Sequence, residues 1–100
     1  MSEGPVLLHI WSVEPAQEAA SVERLEKLFA DQIATDAGLV SARILESEDH
    51  TSVAAIIEMR SVEDRRRIEQ LPEVRETLDH LHGSANLVLR LYHQVKVFGT

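Results

Sequence analysis

The chain has 100 residues, no cysteine and a formal net charge of −7 at pH 7. This length predicts one domain, residues 1–100, and the missing cysteines exclude a disulfide framework, a thiolate metal site and a cysteine nucleophile. The acidic balance disfavours nucleic acid as a partner, and the first apolar run is interrupted at His9 without a basic region before it, so we expect a cytoplasmic protein with no signal peptide and no membrane partner.

Two segments are predicted to be strands with apolar side chains on both faces. In residues 6–13, His9 and Trp11 share one face because side chains alternate along a strand. In residues 53–59 both faces are again largely apolar, which is typical of a central strand that is covered twice. A chain this short cannot cover both faces of a sheet by itself, so the sequence predicts a homodimer.

The segment after the first strand is predicted to be a helix. Pro15 ends the strand, because proline cannot donate to a strand ladder and is favoured in the first turn of a helix. Apolar residues then recur every three or four positions up to Ala37. Gly38 follows at the position where a left-handed helix cap is expected.

The remaining elements are a second strand, an interrupted helix and a final strand. Residues 39–47 are more polar on one face, as expected for an edge strand, and residues 48–51 form a hairpin loop. Ser61 and Asp64 have the spacing of a capping box at the start of the second helical region. Pro72 then begins a new helix that extends to Gly83, and residues 87–98 alternate as the last strand.

The order strand, helix, strand, strand, helix, strand predicts an α+β fold of the ferredoxin-like βαββαβ type. Right-handed crossovers turn this order into a four-stranded antiparallel sheet with the helices on one face. The opposite face is also largely apolar, so we expect a second sheet to cover it, as in a dimeric α+β barrel.

Four short segments give the chain a resemblance to a known family. They are Val13-Glu14-Pro15, Gly38-Leu39-Val40-Ser41-Ala42-Arg43, Glu58-Met59-Arg60-Ser61 and Leu71-Pro72-Glu73-Val74-Arg75. With the element order, they make the chain similar to the antibiotic biosynthesis monooxygenases. That family has the dimeric α+β barrel fold. It includes cofactor-free enzymes that oxidise phenolic polyketides to quinones, haem-degrading enzymes and members without an assigned reaction.

The resemblance also implies site residues in a cavity between the sheet and the helices. Active members of the family often carry tryptophan and asparagine where this chain has Met59 and Ala55. The arginine of the polyketide enzymes matches Arg75. The histidine that binds haem in the haem-degrading enzymes falls near Leu78, so we expect neither haem nor another cofactor.

His9 and Trp11 are the strongest candidates for chemistry. Histidine can accept a phenolic proton near neutral pH, and an indole can stack on a flat substrate. In the alternative interpretation Trp11 is a core residue and His9 lies in the core or at the dimer interface. The alignment with the family favours the cavity. Arg75 is predicted to stabilise a substrate anion or, alternatively, to be an exposed helix residue.

The other histidines predict no metal site. His80 and His82 are two positions apart on a helix and therefore point to different faces. His93 could approach His9 across neighbouring strands, but two histidines without a placed carboxylate are a weak metal signal.

Two functions follow from these residues. The first is a cofactor-independent monooxygenase that acts on a planar aromatic ligand, with His9 and Arg75 catalytic and Trp11, Ala55, Met59 and Tyr92 lining the substrate pocket. The alternative is a non-catalytic small-molecule-binding or accessory protein, or a non-oxidative cyclase or isomerase, on the same barrel.

Overall fold

The computed structural model describes residues 4–82, 87–93, 95, 96, 98 and 99. Its elements are β1 (Pro5–Ser12), α1 (Pro15–Leu28), a π-helical segment (Phe29–Ile33), β2 (Leu39–Glu46), β3 (Ser52–Met59), α2 (Val62–Glu69), α3 (Pro72–His82) and β4 (Leu87–His93). The predictions for Gly83 and for the side chains of Leu78, His80 and His82 lie outside what is described. No helix in the described part of the chain is long and apolar enough to cross a membrane.

The four strands form one antiparallel sheet in the order β2-β3-β1-β4. The two doubly apolar strands, β1 and β3, are the central pair, and β2 is an edge strand, as predicted. Both crossovers contain helices, which confirms the ferredoxin-like α+β fold.

The core lies between one face of this sheet and the helices. β1 and β3 bury every second residue, because alternate side chains point to the same side of a strand. The buried apolar residues of the core are Leu7, Trp11, Leu25, Leu28, Phe29, Ile33, Val53, Ala55, Ile57, Met59, Ile68 and Val74. They come from both central strands, from the three helices and from the π-helical segment, so the helices cover this face together.

The opposite face of the sheet, which we call the outer face, is apolar in its centre, and no helix in the described part of the chain covers it. Its central residues are Val6, Leu8, Ile10, Ala54 and Ile56, all half-buried. Toward the edges it includes Leu45 on β2 and Tyr92 on β4, which are 46% and 50% exposed. Arg43, Glu58 and Arg90 pair with residues of this centre and therefore lie on the same face around it. One chain thus leaves an apolar patch with charged residues at its border.

The first helix ends earlier than predicted and in a different geometry. Pro15 occupies the first turn, as expected, but the helix widens at Phe29 and ends at Ile33. The Ala34 amide donates to the Phe29 carbonyl at 2.6 Å, a bond across five residues that defines the wider turn.

The prediction that Gly38 is a left-handed helix cap is wrong. Among the described glycines only Gly99 has a positive φ, at 74°. Gly38 lies in the loop before β2, where an added Cβ would be 2.3 Å from the Asp64 Cγ atom. Glycine is needed here for close packing and not for its backbone conformation.

A β-bulge changes the faces predicted for β2. The pairing with β3 shifts between Leu39 and Ser41, so one residue is inserted into the strand. Ala42 and Ile44 pack against the core. Simple alternation would place Val40 on the same face as these two residues, but Val40 is 41% exposed.

The last strand is shorter than the predicted residues 87–98. It ends at His93, which pairs with Pro5 at the very start of β1. Strand β1 begins at Pro5, and proline has no amide hydrogen to donate to a strand ladder. Val95 and Phe98, which the alternation placed in the strand, are 90% and 85% exposed.

The start of α2 agrees with the sequence. The Ser61 hydroxyl oxygen accepts a hydrogen bond from the Asp64 amide at 3.1 Å and donates to the Asp64 carboxylate at 2.8 Å. This confirms the predicted helix start at Ser61. The Asp64 carboxylate accepts its hydrogen bond from the Ser61 hydroxyl group, whereas the glutamate or glutamine of a capping box accepts one from the backbone amide of the N-cap residue.

Candidate functional site

A small cavity lies between the centre of the sheet and the ends of α1 and α3. Its volume is about 20 Å³, enough for about one water molecule. The lining residues are His9, Trp11, Leu25, Leu28, Phe29, Ile33, Ala55, Ile57, Val74 and Thr77. Among these side chains only His9, Trp11 and Thr77 carry a nitrogen or oxygen atom, so the described part of the lining is apolar with three polar groups.

The cavity exists because a small residue occupies the centre of the sheet. Ala55 pairs with His9 on one side and with Ile44 on the other. Side chains of directly opposite residues are close neighbours on a sheet face. A methyl group between two larger side chains leaves space above β3, and the imidazole ring borders that space.

His9 and Trp11 lie side by side in this wall. Their exposures are 5% and 1%, and their ring centroids are 6.2 Å apart with the planes tilted by 59°. The indole Nε1 atom of Trp11 is buried and has no hydrogen-bond partner in the described part of the chain. A buried donor without a partner is costly, so Trp11 offers a hydrogen bond to a guest molecule.

The helix side of the cavity is formed by the π-helical segment. Phe29 and Ile33 both line the space and are four residues apart on the wider turn. Short π-helical turns inside helices are frequent at functional sites. Here the turn aims two large apolar side chains at the sheet, opposite His9 and Trp11.

No protein-family model matches the chain, and no curated protein matches its sequence. Solved structures match over nearly its whole length. A mutant of SnoaB, a cofactor-independent oxygenase from Streptomyces nogalater, has 19% sequence identity to this chain and a TM-score of 0.76. The match covers 98% of this chain and 99% of that chain. A putative antibiotic biosynthesis monooxygenase from Deinococcus radiodurans has 12% identity, a TM-score of 0.81 and coverage of 96% and 97%.

A second putative antibiotic biosynthesis monooxygenase, from Nitrosomonas europaea, agrees with these two. It has 14% identity and a TM-score of 0.77, and the match covers 99% of this chain and 98% of that chain. The chain has the fold of the antibiotic biosynthesis monooxygenases. The resemblance expected from the sequence is therefore confirmed at the level of the fold.

In this monooxygenase fold, only some of the predicted site residues line the cavity. His9, Trp11 and Ala55 line the cavity together. Met59 lies on the same face of β3 and is fully buried, but it belongs to the core beyond the cavity lining. Tyr92 pairs with Val6, which lies on the outer face. Alternation along the strand therefore places Tyr92 on the opposite face of the sheet from His9.

Arg75 is exposed on α3 and does not line the cavity. Successive residues on a helix are about 100° apart, so Val74 and Thr77 can face the sheet while Arg75 cannot share their direction. The role of Arg75 as an anion-stabilising residue stays a prediction.

Sequence reasoning missed the helix-side residues of the cavity, above all Thr77. Thr77 is buried, with 6% exposure. Its spacing of three from Val74 places it on the apolar stripe of α3, which was the one available signal. Phe29 and Ile33 belong to the apolar spacing that extends to Ala37, but nothing local marks them as cavity residues.

A second polar cluster, also missed from the sequence, lies at the other end of α1. The Glu18 carboxylate is buried and contacts the His50 Nδ1 atom at 2.5 Å, although the two residues are 32 positions apart. This hydrogen bond, together with the negative charge of Glu18, raises the pKa of His50 above its ordinary value. Glu46 is adjacent, and its hydrogen bond with Glu18 raises the pKa of Glu46.

These three residues could hold a metal ion by their chemistry. One donor atom from each of Glu18, Glu46 and His50 lies within 4.8 Å of the other two. Carboxylate oxygens and an imidazole nitrogen are ordinary ligands for zinc. The contact between Glu18 and His50 joins α1 to the loop of the β2–β3 hairpin, so we assign the cluster a structural role.

Proposed function

We propose that the chain is a cofactor-independent monooxygenase that acts on a planar, phenolic aromatic molecule bound in the cavity. The observation that carries the proposal is the pair formed by His9 and Trp11, a histidine and an unpartnered indole donor in one apolar wall. The oxygenase SnoaB has the same fold, which supports this reaction class.

The proposed chemistry uses the substrate itself as the reductant. His9 accepts a proton from the phenolic substrate, and the Trp11 Nε1 atom donates a hydrogen bond to a substrate oxygen, which favours the anion. The electron-rich anion passes one electron to dioxygen, and the resulting superoxide and substrate radical combine to a peroxide anion on a ring carbon. The proton held by His9 returns to this peroxide and gives a hydroperoxide. In an anthrone, the CH₂ carbon loses two hydrogens and gains one oxygen atom as C=O, and the second oxygen atom leaves as water.

Substrate binding requires the cavity to widen. The present volume of about 20 Å³ is far below the ~300 Å³ at the lower end of ordinary ligand pockets. The sheet side is held by strand pairing on both sides of β1. We therefore expect the helix side, where Leu28 and Phe29 border the cavity, to move outward.

The proposed active form is a homodimer in which two outer faces pack together. The apolar centre of this face is formed by β1 and β3, and a second copy of the same sheet offers a surface of matching size and apolar character. The charged helices of each chain then stay in contact with water.

The test is the oxidation of dithranol, a dihydroxyanthrone, followed by oxygen uptake and by quinone absorbance. His9→Gln should lower kcat about a hundred- to ten-thousand-fold, as expected when a general base is lost. His93→Gln is the matched control, because His93 is exposed at the end of β4 and lies outside the cavity lining. Equal rates for His9→Gln and the parent protein would exclude His9 as the base.

The alternative is a binding protein without turnover, and one observation favours it. The positions of the family's asparagine and tryptophan carry Ala55 and Met59, which provide no hydrogen-bonding group beside His9. Dithranol added without oxygen should quench Trp11 fluorescence under either proposal. Quenching with no oxygen uptake after air is admitted would select the binding protein.

A further inference from the structure

An open groove runs along the surface between α1 and α3. Its volume is about 310 Å³, and its lining residues are Arg24, Lys27, Leu28, Asp31, Gln32, Glu73, Glu76 and Thr77. The charged side chains that line it are exposed. The groove is thus a polar, solvent-filled space on the helix side of the molecule, whereas the inner cavity is small and apolar.

The groove and the inner cavity share two residues. Leu28 and Thr77 line both spaces, and their exposures are only 8% and 6%. Leu28 is the last residue of α1, and Thr77 is in the middle of α3. The side chains of these two residues therefore form a common wall between the solvent-filled groove and the space beside His9 and Trp11.

This wall is placed where the backbone changes geometry. Leu28 is followed directly by the π-helical segment Phe29–Ile33. Each hydrogen bond of a π-turn spans one more residue than a hydrogen bond of an α-helix. A change of this segment from π-helical to α-helical pairing would therefore rotate the neighbouring side chains about the helix axis. Movement of Leu28 therefore needs a local change at one helix end and leaves the paired strands as they are.

From this arrangement we infer that the ligand reaches the cavity through the groove and passes between Leu28 and Thr77, which act as a gate that selects by size and flatness. The inference rests on the proposed function in one respect: it takes the inner cavity as the ligand site. Leu28 restricts the opening, and Thr77 forms the opposite side.

The groove also indicates the chemistry of the part of the ligand that stays outside. Arg24 and Lys27 line it from α1, and Glu73 and Glu76 line it from α3. Within the described residues none of these four forms an ion pair. The groove can therefore bind positively or negatively charged groups of a ligand. We expect it to select only weakly between ligands by their charge. The fitting ligand is a flat ring system with a polar substituent at one end.

The experiment uses Trp11 as its probe, because it is the only tryptophan in the chain and is 1% exposed. Acrylamide, a small neutral quencher, reports how often the cavity opens to solvent. Leu28→Ala should raise the quenching rate constant at least about twofold, since access to a buried group follows the population of open states. Leu28→Phe should lower it below that of the parent protein.

Two control variants separate a gate from general loosening of the structure. Ile68→Ala removes an aliphatic side chain from α2 that is even more deeply buried than Leu28, but Ile68 lines neither space. At temperatures equally far below each melting point, Ile68→Ala should give the quenching of the parent protein. Thr77→Val, which keeps the shape of the wall, should also leave it unchanged.

Equal increases in Leu28→Ala and Ile68→Ala would overturn the gate, as would no increase in Leu28→Ala. If Leu28→Ala does not fold, Leu28→Phe decides: quenching below the parent supports the gate, and quenching at or above it overturns the gate. Acrylamide needs no ligand, so this result is independent of the dithranol assay. A confirmed gate without dithranol binding would locate the failure in the proposed substrate class.

Discussion

The most informative perturbation of the assembly is Ile56→Thr at the centre of the outer face. Ile56 lies on β3 and pairs with Leu8 on β1 and with Arg43 on β2. Threonine is also β-branched, so the change keeps the strand preference while it replaces the ethyl branch of the side chain by a hydroxyl group. The fold of the single chain should therefore tolerate it.

The expected affinity of the dimer follows from the dimensions of the sheet. Four strands about 4.8 Å apart and about 25 Å long present roughly 480 Å² per chain, so two faces bury roughly 950 Å², less than a standard interface. If about 60% of this area is apolar, its burial contributes roughly 15 kcal/mol. An association cost of about 8 kcal/mol leaves a dissociation constant of roughly 10 μM.

Ile56→Thr acts twice in a two-fold symmetric dimer. Burying a hydroxyl group without a partner and losing apolar contact costs about 2 kcal/mol per chain, hence about 4 kcal/mol per dimer. This is close to a thousandfold weaker association. Light scattering at about 100 μM should then show mainly dimer for the parent protein and only monomer for the variant.

Val62→Thr is the matched control, because Val62 is on α2 and is 40% exposed. It also introduces a threonine in place of a β-branched apolar residue, but away from the outer face, and should keep the parent dimer. A parent protein that has the mass of one chain at this concentration would refute the reasoning. The same holds if Ile56→Thr associates as tightly as the parent protein.

Two further predictions concern the stability of the single chain. Gly38→Ala should lower the free energy of unfolding by about 1–3 kcal/mol in urea titrations, because a Cβ 2.3 Å from the Asp64 Cγ atom forces that side chain to move; an unchanged midpoint would show that Asp64 yields freely. The raised pKa of His50 means that its contact with Glu18 stabilises the fold fully below the ordinary pKa of 6.5, and that this contribution is lost as the pH rises through the higher folded value. Urea midpoints measured upward from pH 6 should fall in the parent protein and not in Glu18→Gln, and a fall of equal size in both would contradict the assignment.

The sequence by itself determined the elements and their order, because those features depend on local patterns. Two-residue alternation with apolar side chains on both faces identified β1 and β3 as central strands, and Pro15 and Ser61 marked the helix starts. Alternation also required His9 and Trp11 to share a face, whichever face that was. Connection rules then left the ferredoxin-like fold as the arrangement that fits this order.

The tertiary structure decided everything that depends on contacts between distant segments. Apolar spacing continues past Ile33, so only packing reveals the π-helical turn that places Phe29 in the cavity wall. The contact between Glu18 and His50 joins residues 32 positions apart, and no local pattern encodes such a pairing. For the same reason the sequence could not show that Thr77 lines the cavity whereas Arg75 does not. Helical spacing fixes the angle between two side chains, whereas the direction of the whole helix is set by the surface on which it packs.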